Sequence, residues 1–292
     1  MRFAFVSAQK ADYSVSDLCF AMEVSTSGFY AWRKREKSLR KLHDETWLDR
    51  IKAIFAASRE TYGSPRIHAE LKALGHATSE KRVARIMREN GLAALPGRVW
   101  RCVTTETDPA NAVAGNGLNR DFRASSANEK WVTDVTFVPT DEGWLYLASI
   151  IDLYNREVVG WAMSESNDTE LTLRALDMAL TSHNPPKGLL HHSDRGSNYT
   201  ANDYRQALSD RSLEVSMSRK GNCWDNAVAE SFFATLKKEL VNRHHYESRR
   251  QAAAAIFEYI EAFYNRVRRH SELGYSSPIE YRKNHELAAA AA

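Results

Sequence analysis

The chain has 292 residues, 43% hydrophobic and 26% charged, enough length and apolar content for two or three domains with a full buried core. No apolar run nears the roughly 18 to 20 residues of a membrane span, no basic-then-apolar leader opens the chain, and Cys19, Cys102 and Cys223 are too scattered for a disulfide framework or a C-x-x-C metal knuckle, so a cytoplasmic protein is expected. The net charge of +3 divides into +7 over residues 1–130, −6 over 131–240 and +2 over 241–292; basic flanks around an acidic middle suit an enzyme that tracks a phosphate backbone and holds a divalent cation.

Two helix-turn-helix candidates come first. In "SVSDLCFAMEVSTSGFYAWRKR", Val15, Leu18, Cys19 and Met22 recur at helical spacing, "EVSTS" supplies a turn and cap, and a second helix carries Phe29, Tyr30 and Trp32 before Arg33, Lys34 and Arg35. The second candidate, "YGSPRIHAELKALGHATSEKRVARIMRENGL", predicts a helix capped by Ser64 with Pro65 at its first position, an apolar stripe of Ile67, Leu71 and Leu74, and a stop at Gly75. Thr78 or Ser79 then caps a helix with Val83, Ile86 and Met87 inward, Lys81, Arg82, Arg85 and Arg88 outward, and Gly91 beyond its end. Such a basic second helix can enter a major groove, and the same pattern also describes a packed helix pair with solvated cations. The expected units are 1–50, a helical segment with a possible helix-turn-helix, and 51–103, a helix-turn-helix domain.

From Thr104 the composition turns to Ala, Asn, Gly and Ser with no hydrophobic period, so 104–127 reads as a linker. Alternating β and α texture follows over 128–245. "KWVTDVTFVPT" is a strand, and "LYLASIIDLYNREVVGWAM" is two strands bent at Tyr154, Asn155 and Arg156. "DTELTLRALDMAL" has helical period, "KGLLHHSD" is a short strand, "ANDYRQALSD" a helix and "LEVSMS" a fifth strand. The order βββαβαβα predicts a mixed α/β sheet flanked by helices. Residues 246–292 read as a helical extension with "SPIEYRK" as a short closing turn; the terminal alanines are set aside as low-complexity sequence.

The acids are the candidate chemistry. Asp134 sits among apolar β-formers, where a carboxylate is costly unless paired or bound to a cation, and Asp194 ends the fourth strand, at the sheet edge where open α/β folds bind ligands. On the last helix Glu230 borders the packed face of Ala229, Phe232, Phe233, Leu236 and Leu240, and Lys237, seven residues on, returns to within about 20° of it. Asp225 reads as that helix's N-cap and Asp152 as a turn-supporting acid. His191 and His192 read as packing or hydrogen-bonding groups, since no partners stand at zinc spacing, and Ser193 lacks a G-x-S-x-G elbow.

With 60 positions from Asp134 to Asp194 and 35 residues between Asp194 and Glu230, the chain resembles the D-D-E transposases and retroviral integrases, and within them the second reading frame of the insertion sequence three family. The words "WVTDVTFV", "IIDLYNREVVGWAM", "HHSDRGSNYT", "KGNCWDNAVAESFFATLKKE" and "FYNRVRRHSELGYSSPIEY" are similar to that family's successive blocks, as "YGSPRIHAELKALG" is to its upstream helix-turn-helix. The resemblance implies an RNase H-like core in which Asp134, Asp194 and Glu230 bind two Mg²⁺ or Mn²⁺ ions. It implies cleavage at element ends followed by 3′-hydroxyl attack on a second DNA segment, in a bacterial, nucleoid-associated setting. Lys237 matches a basic position expected on terminal phosphate. Asn198, Tyr199, Asn222 and Asn226 are candidate DNA neighbours, and Arg266, Arg268, Arg269 and His270 a candidate extension of the DNA track. The implied partners are terminal-repeat and target DNA, further copies of the chain and the upstream reading-frame product, with no membrane. The alternative is a DNA-binding partner or regulator of transposition without catalysis of its own.

Overall fold

The computed structural model describes residues 1–36, 38–94, 114–220 and 222–290. Three short helices come first, α1 (Arg2–Gln9), α2 (Val15–Ala21) and α3 (Thr26–Lys34), closed over Val6, Leu18, Cys19 and Phe29. Ser14 caps α2 by accepting from the Asp17 N–H, and Ser25 caps α3 by accepting from that of Gly28. Then α4 (Leu39–Ala57), α5 (Ser64–Ala73) and α6 (Glu80–Glu89) pack through Ile51, Ile54, Ile67, Leu71, Val83 and Ile86. α4 is continuous across residue 50, so the unit boundary expected there falls inside a helix.

Capping of the second pair differs in one respect from expectation. Gly63, not Ser64, is the N-cap of α5, and Ser64 and Pro65 lie in its first turn, where the missing Pro N–H goes unneeded. Gly75 and Gly91 both have positive φ, +79° and +68°, and end α5 and α6 as expected. Ser79 caps α6 by accepting from Arg82 N–H.

The sheet is built from β1 (Lys130–Thr140), β2 (Gly143–Asp152), β3 (Val158–Ser164), β4 (Leu190–Ser193) and β5 (Glu214–Met217), in the order β3-β2-β1-β4-β5. The first three strands are antiparallel; β1 to β4 and β4 to β5 are parallel. α7 (Thr169–His183), α8 (Ser197–Thr200) and α9 (Asn202–Asp210) cover one face over Trp131, Ala148 and Ile150. α7 approaches β3 so closely that a Cβ on Gly160 would lie 2.4 Å from the Ala175 carbonyl. The other face, Val132, Leu147 and Ile151, lies under α10 (Ala227–Glu239) and α11 (Arg249–Glu258), the latter continuing into a π-helical turn, Tyr259–Tyr264.

The chain closes with α12 (Pro278–Ala290), a full helix where a short turn was expected. The C-terminal helices are thus a layer of the core. They also meet the N-terminal unit: Tyr62 Oη donates to the Val267 carbonyl at 3.3 Å and accepts from Arg269 N–H at 2.8 Å, and the pairs Arg269–Glu70 and Arg59–Glu258 flank this contact. Of the expected linker, residues up to 113 lie outside the described residues. Its remainder is docked, with Leu118 buried and the Gly117 and Leu118 N–H groups both donating to Ser216 Oγ.

Candidate active site

Parallel pairing of β1 with β4 sets Val132 beside His192. Two residues further along each chain stand Asp134 and Asp194, which line one open cleft of about 570 Å³. Asp134 Oδ1 accepts from Val135 N–H at 2.8 Å and Asp194 Oδ1 from Gly196 N–H at 2.9 Å. The loop after β4 closes on its carboxylate so tightly that a Cβ on Gly196 would sit 3.0 Å from Asp194 Oδ1. Burial, then the charge of Asp194, pushes the Asp134 carboxyl well above the usual carboxylate range; Glu230 adds to the rise, while Val135 N–H and the Lys237 charge oppose it.

Glu230 is in the first turn of α10, solvent-facing, with its carboxyl raised by desolvation. It acts on Asp134 electrostatically yet does not line the cleft. Among the described residues no three His, Cys, Asp or Glu side chains stand close enough to hold a metal ion as placed. The structure therefore brings two members of the expected triad together and sets the third on an adjacent helix. The donors are hard carboxylate oxygens of like charge, a set that fits a hard divalent cation.

Asp225 is not the helix cap expected of it. It is wholly buried just ahead of α10, accepting from Asn116 Nδ2 at 2.9 Å, Arg120 Nε at 2.8 Å and the Arg219 N–H at 3.0 Å. Burial alone would raise its carboxyl, but the Arg219 N–H and the Arg120 and Arg219 guanidinium groups outweigh that and lower it. The acid thus ties the docked arm to the turn that leads into α10. Sequence spacing could not reveal this, because Asn116 and Arg120 lie about a hundred residues upstream.

The remaining candidates divide by burial. Asn198 lines the cleft and donates to Asn167 Oδ1 at 2.7 Å. Tyr199 is buried against Tyr204, its hydroxyl 3.2 Å from Thr133 Oγ1, so it supports β1 from behind. Asn226 is likewise buried, donating to the Thr133 carbonyl at 3.0 Å; its Oδ1, like that of Asn222, has no hydrogen-bond partner among the described residues. The Lys237 ammonium stands 4.9 Å from the Phe137 ring centroid.

On α6, Lys81 and Arg88 are exposed, whereas Arg82 and Arg85 are engaged with Asp44 of α4 at 2.8 and 2.7 Å. Arg266 is exposed. Arg268 is buried and grips Glu239 with two bonds of 2.7 and 2.8 Å, and Arg269 pairs with Glu70. Arg268 is thereby committed to a carboxylate inside the protein, while Arg269, Arg82 and Arg85 are part-exposed and each paired with a carboxylate. His270 also faces inward: burial, then Arg268, Arg66 and Arg156, lowers its imidazole to about 2.

His191 and His192 are buried hydrogen-bonding groups, as expected. His191 Nε2 lies 3.2 Å from Tyr204 Oη, and the two nitrogens of His192 lie 2.8 and 3.1 Å from Ser216 Oγ and Ser218 Oγ. Asp152 supports its turn by accepting from the Asn128 and Tyr154 N–H groups. Sequence reasoning passed over Phe137, Trp144 and Tyr146, which line the cleft beside the aspartates; their alternation along β1 and β2 was the available signal.

A five-stranded sheet in this order, with one carboxylate within its central strand β1 and another just past the end of the neighbouring β4, defines an integrase-type core. The integrase core domain description matches residues 124–223 and again 230–287, and an HTH-like domain matches 41–99. The chain is 47% identical to the insertion element IS600 uncharacterized 31 kDa protein of Shigella sonnei, over 93% of this chain and all of that one. It is 40% identical to the transposase InsF for insertion sequence IS3A of Escherichia coli strain K12, over 99% of this chain and all of that one. The HTLV-2 integrase catalytic core domain in complex with magnesium superposes with a TM-score of 0.44 at 15% identity, covering 54% of this chain and 98% of that one. The chain belongs to the insertion sequence three family of transposases. No helix among the described residues is long and apolar enough to cross a membrane.

Proposed function

We propose that this protein cuts DNA at the ends of an insertion sequence and joins the released end to a second DNA segment, with Asp134, Asp194 and Glu230 holding Mg²⁺ or Mn²⁺, two ions per site. The observation that carries the reading is the side-by-side placement of Asp134 and Asp194 on neighbouring parallel strands, in an open cleft within electrostatic reach of Glu230 and Lys237. Two like charges at such a point repel, and cation binding relieves them by favouring the ionised form of both. When bound, the ions supply charge stabilisation to the attacking and leaving oxygens of an in-line phosphoryl transfer.

The chain's own residues do the positioning. Asp134 and Asp194 are held at fixed orientation by the Val135 and Gly196 N–H groups, and Lys237 carries positive charge to the cleft edge for a phosphate. Glu230, in the first turn of α10, is within electrostatic reach of Asp134. In the first step water forms a bond to phosphorus as the bridging ester bond breaks, releasing a 3′-hydroxyl. That hydroxyl then forms a bond to a phosphorus of the second segment as the bridging P–O bond there breaks; its proton goes to solvent, and the displaced oxygen takes up a proton to leave as a hydroxyl. No covalent protein intermediate is needed.

Lys81 and Arg88 on the exposed side of α6 contact DNA away from the cleft. Pairing of two element ends calls for at least two copies of the chain on DNA, acting with or without the upstream reading-frame product in the bacterial cytoplasm. The test is strand transfer by the full chain on labelled terminal-repeat DNA with Mg²⁺ or Mn²⁺. Asp134→Asn, Asp194→Asn and Glu230→Gln should each abolish chemistry and retain binding; equal transfer by all four proteins would overturn the assignment. A second reading, a DNA-binding regulator without catalysis, draws on the absence of Glu230 from the cleft lining. Calorimetric titration of the full chain with Mn²⁺ separates the two, since a regulator has no signal for Asp134→Asn to remove.

A further inference from the structure

The β1–β2 hairpin outruns the rest of the sheet. β1 and β2 have 11 and 10 residues and β4 and β5 four each, so past Ser193 the flank of β1 beside Asp134 has no neighbouring strand. On this overhang Phe137 pairs with Tyr146 and Pro139 with Trp144, and because side chains alternate between faces, Phe137, Trp144 and Tyr146 share one. Phe137 and Trp144 meet edge to face, centroids 4.7 Å apart and planes at 75°. That contact orients the indole, yet Trp144 remains 47% exposed. The three rings line the same cleft as Asp134 and Asp194, with the Lys237 ammonium 4.9 Å from the Phe137 centroid.

Core packing accounts for buried rings and not for an oriented, half-exposed indole at the mouth of a polar cleft. We infer that Trp144, backed by Phe137 and flanked by Tyr146, is a stacking platform for one nucleobase drawn out of the duplex next to the scissile phosphodiester. This rests on the proposal that the cleft acts on DNA. Carboxylates and a lysine suit the phosphate of a nucleotide, and an adjoining aromatic surface suits its base. Stacking tolerates any base, since each has a π face, so the platform holds the strand in place without reading its sequence.

The experiment compares full-length protein, in Mg²⁺, binding two labelled duplexes that each end in a three-nucleotide overhang, thymidine in one and abasic in the other. The wild type should prefer the thymidine overhang by roughly five- to 150-fold, the range for one stacked base. Trp144→Ala should erase that preference, and Trp144→Phe should keep most of it. Equal wild-type affinity for both overhangs, or an undiminished preference in Trp144→Ala with unchanged circular dichroism, overturns the platform. Cleavage by the same wild-type samples reports on the catalytic proposal separately. A base preference without cleavage supports the platform and defeats the chemistry; cleavage without a base preference defeats the platform alone.

Discussion

Arg268 and Arg266 stand two positions apart on one segment and have opposite fates. Arg268 lies buried on Glu239, and Arg266 faces solvent. Removing one partner of a buried pair strands the other charge, so Arg268→Ala should cost about 3–5 kcal/mol in urea unfolding, against under about 0.5 for Arg266→Ala. Similar costs for the two would refute the division. The buried histidines set the acid side of stability. Burial lowers His191 to about 3 and His192 to about 4, so the unfolded chain takes up protons first and stability falls as pH drops below about 6.5. Asp152 has the opposite sign, because burial raises it to about 6 and the folded state gains protons first between about 6 and 4. Asp152→Asn should therefore steepen the loss of stability from pH 6 to 4, by up to about 1.4 kcal/mol per pH unit. An unchanged slope in denaturant titrations would contradict the assignment. None of these burials could be read from the sequence, since Arg268 and Arg269 look alike beside Arg266 until a fold supplies Glu239 and Glu70.

Individual elements were the most legible level. β-branched runs marked β1 and β3, and the 3.6 period marked α6 and α7, because both patterns come from local backbone geometry. Errors fell where a distant contact decides the outcome, as when Asp225 turned from α10 to Arg120 and Arg219. Two predictions belong here. Gly160→Ala would force α7 away from β3 and should cost about 1–3 kcal/mol or more, measured by thermal unfolding, because the space is occupied by backbone. On α6, Lys81→Ala and Arg88→Ala should each weaken DNA binding across sequences and reduce the slope of log K against log salt by about 1. Arg82→Ala should leave that slope nearly unchanged, with Asp44 still paired to Arg85; a larger effect on the slope than Lys81→Ala would reverse the reading of this face.

Across the whole molecule, one apolar cluster joins Ile51 and Leu71 of the N-terminal unit to Leu147 of the sheet and Ile256 and Tyr259 of the C-terminal helices. Shared burial makes their unfolding cooperative. Residues 39–94 and 246–290 should melt in a single transition, monitored by hydrogen exchange on both; two separated transitions would show that the interface is not formed in solution. The sequence by itself determined the strand and helix order, the spacing of Asp134, Asp194 and Glu230, and through them the family, because periodicity and interval are properties of the chain alone. Tertiary structure decided which charges face outward, what Asp225 holds, and that Asp134 and Asp194 share a cleft with an exposed tryptophan. Those outcomes depend on which residues meet across tens to about two hundred positions, and on the burial that makes an unpaired charge too costly to leave inside.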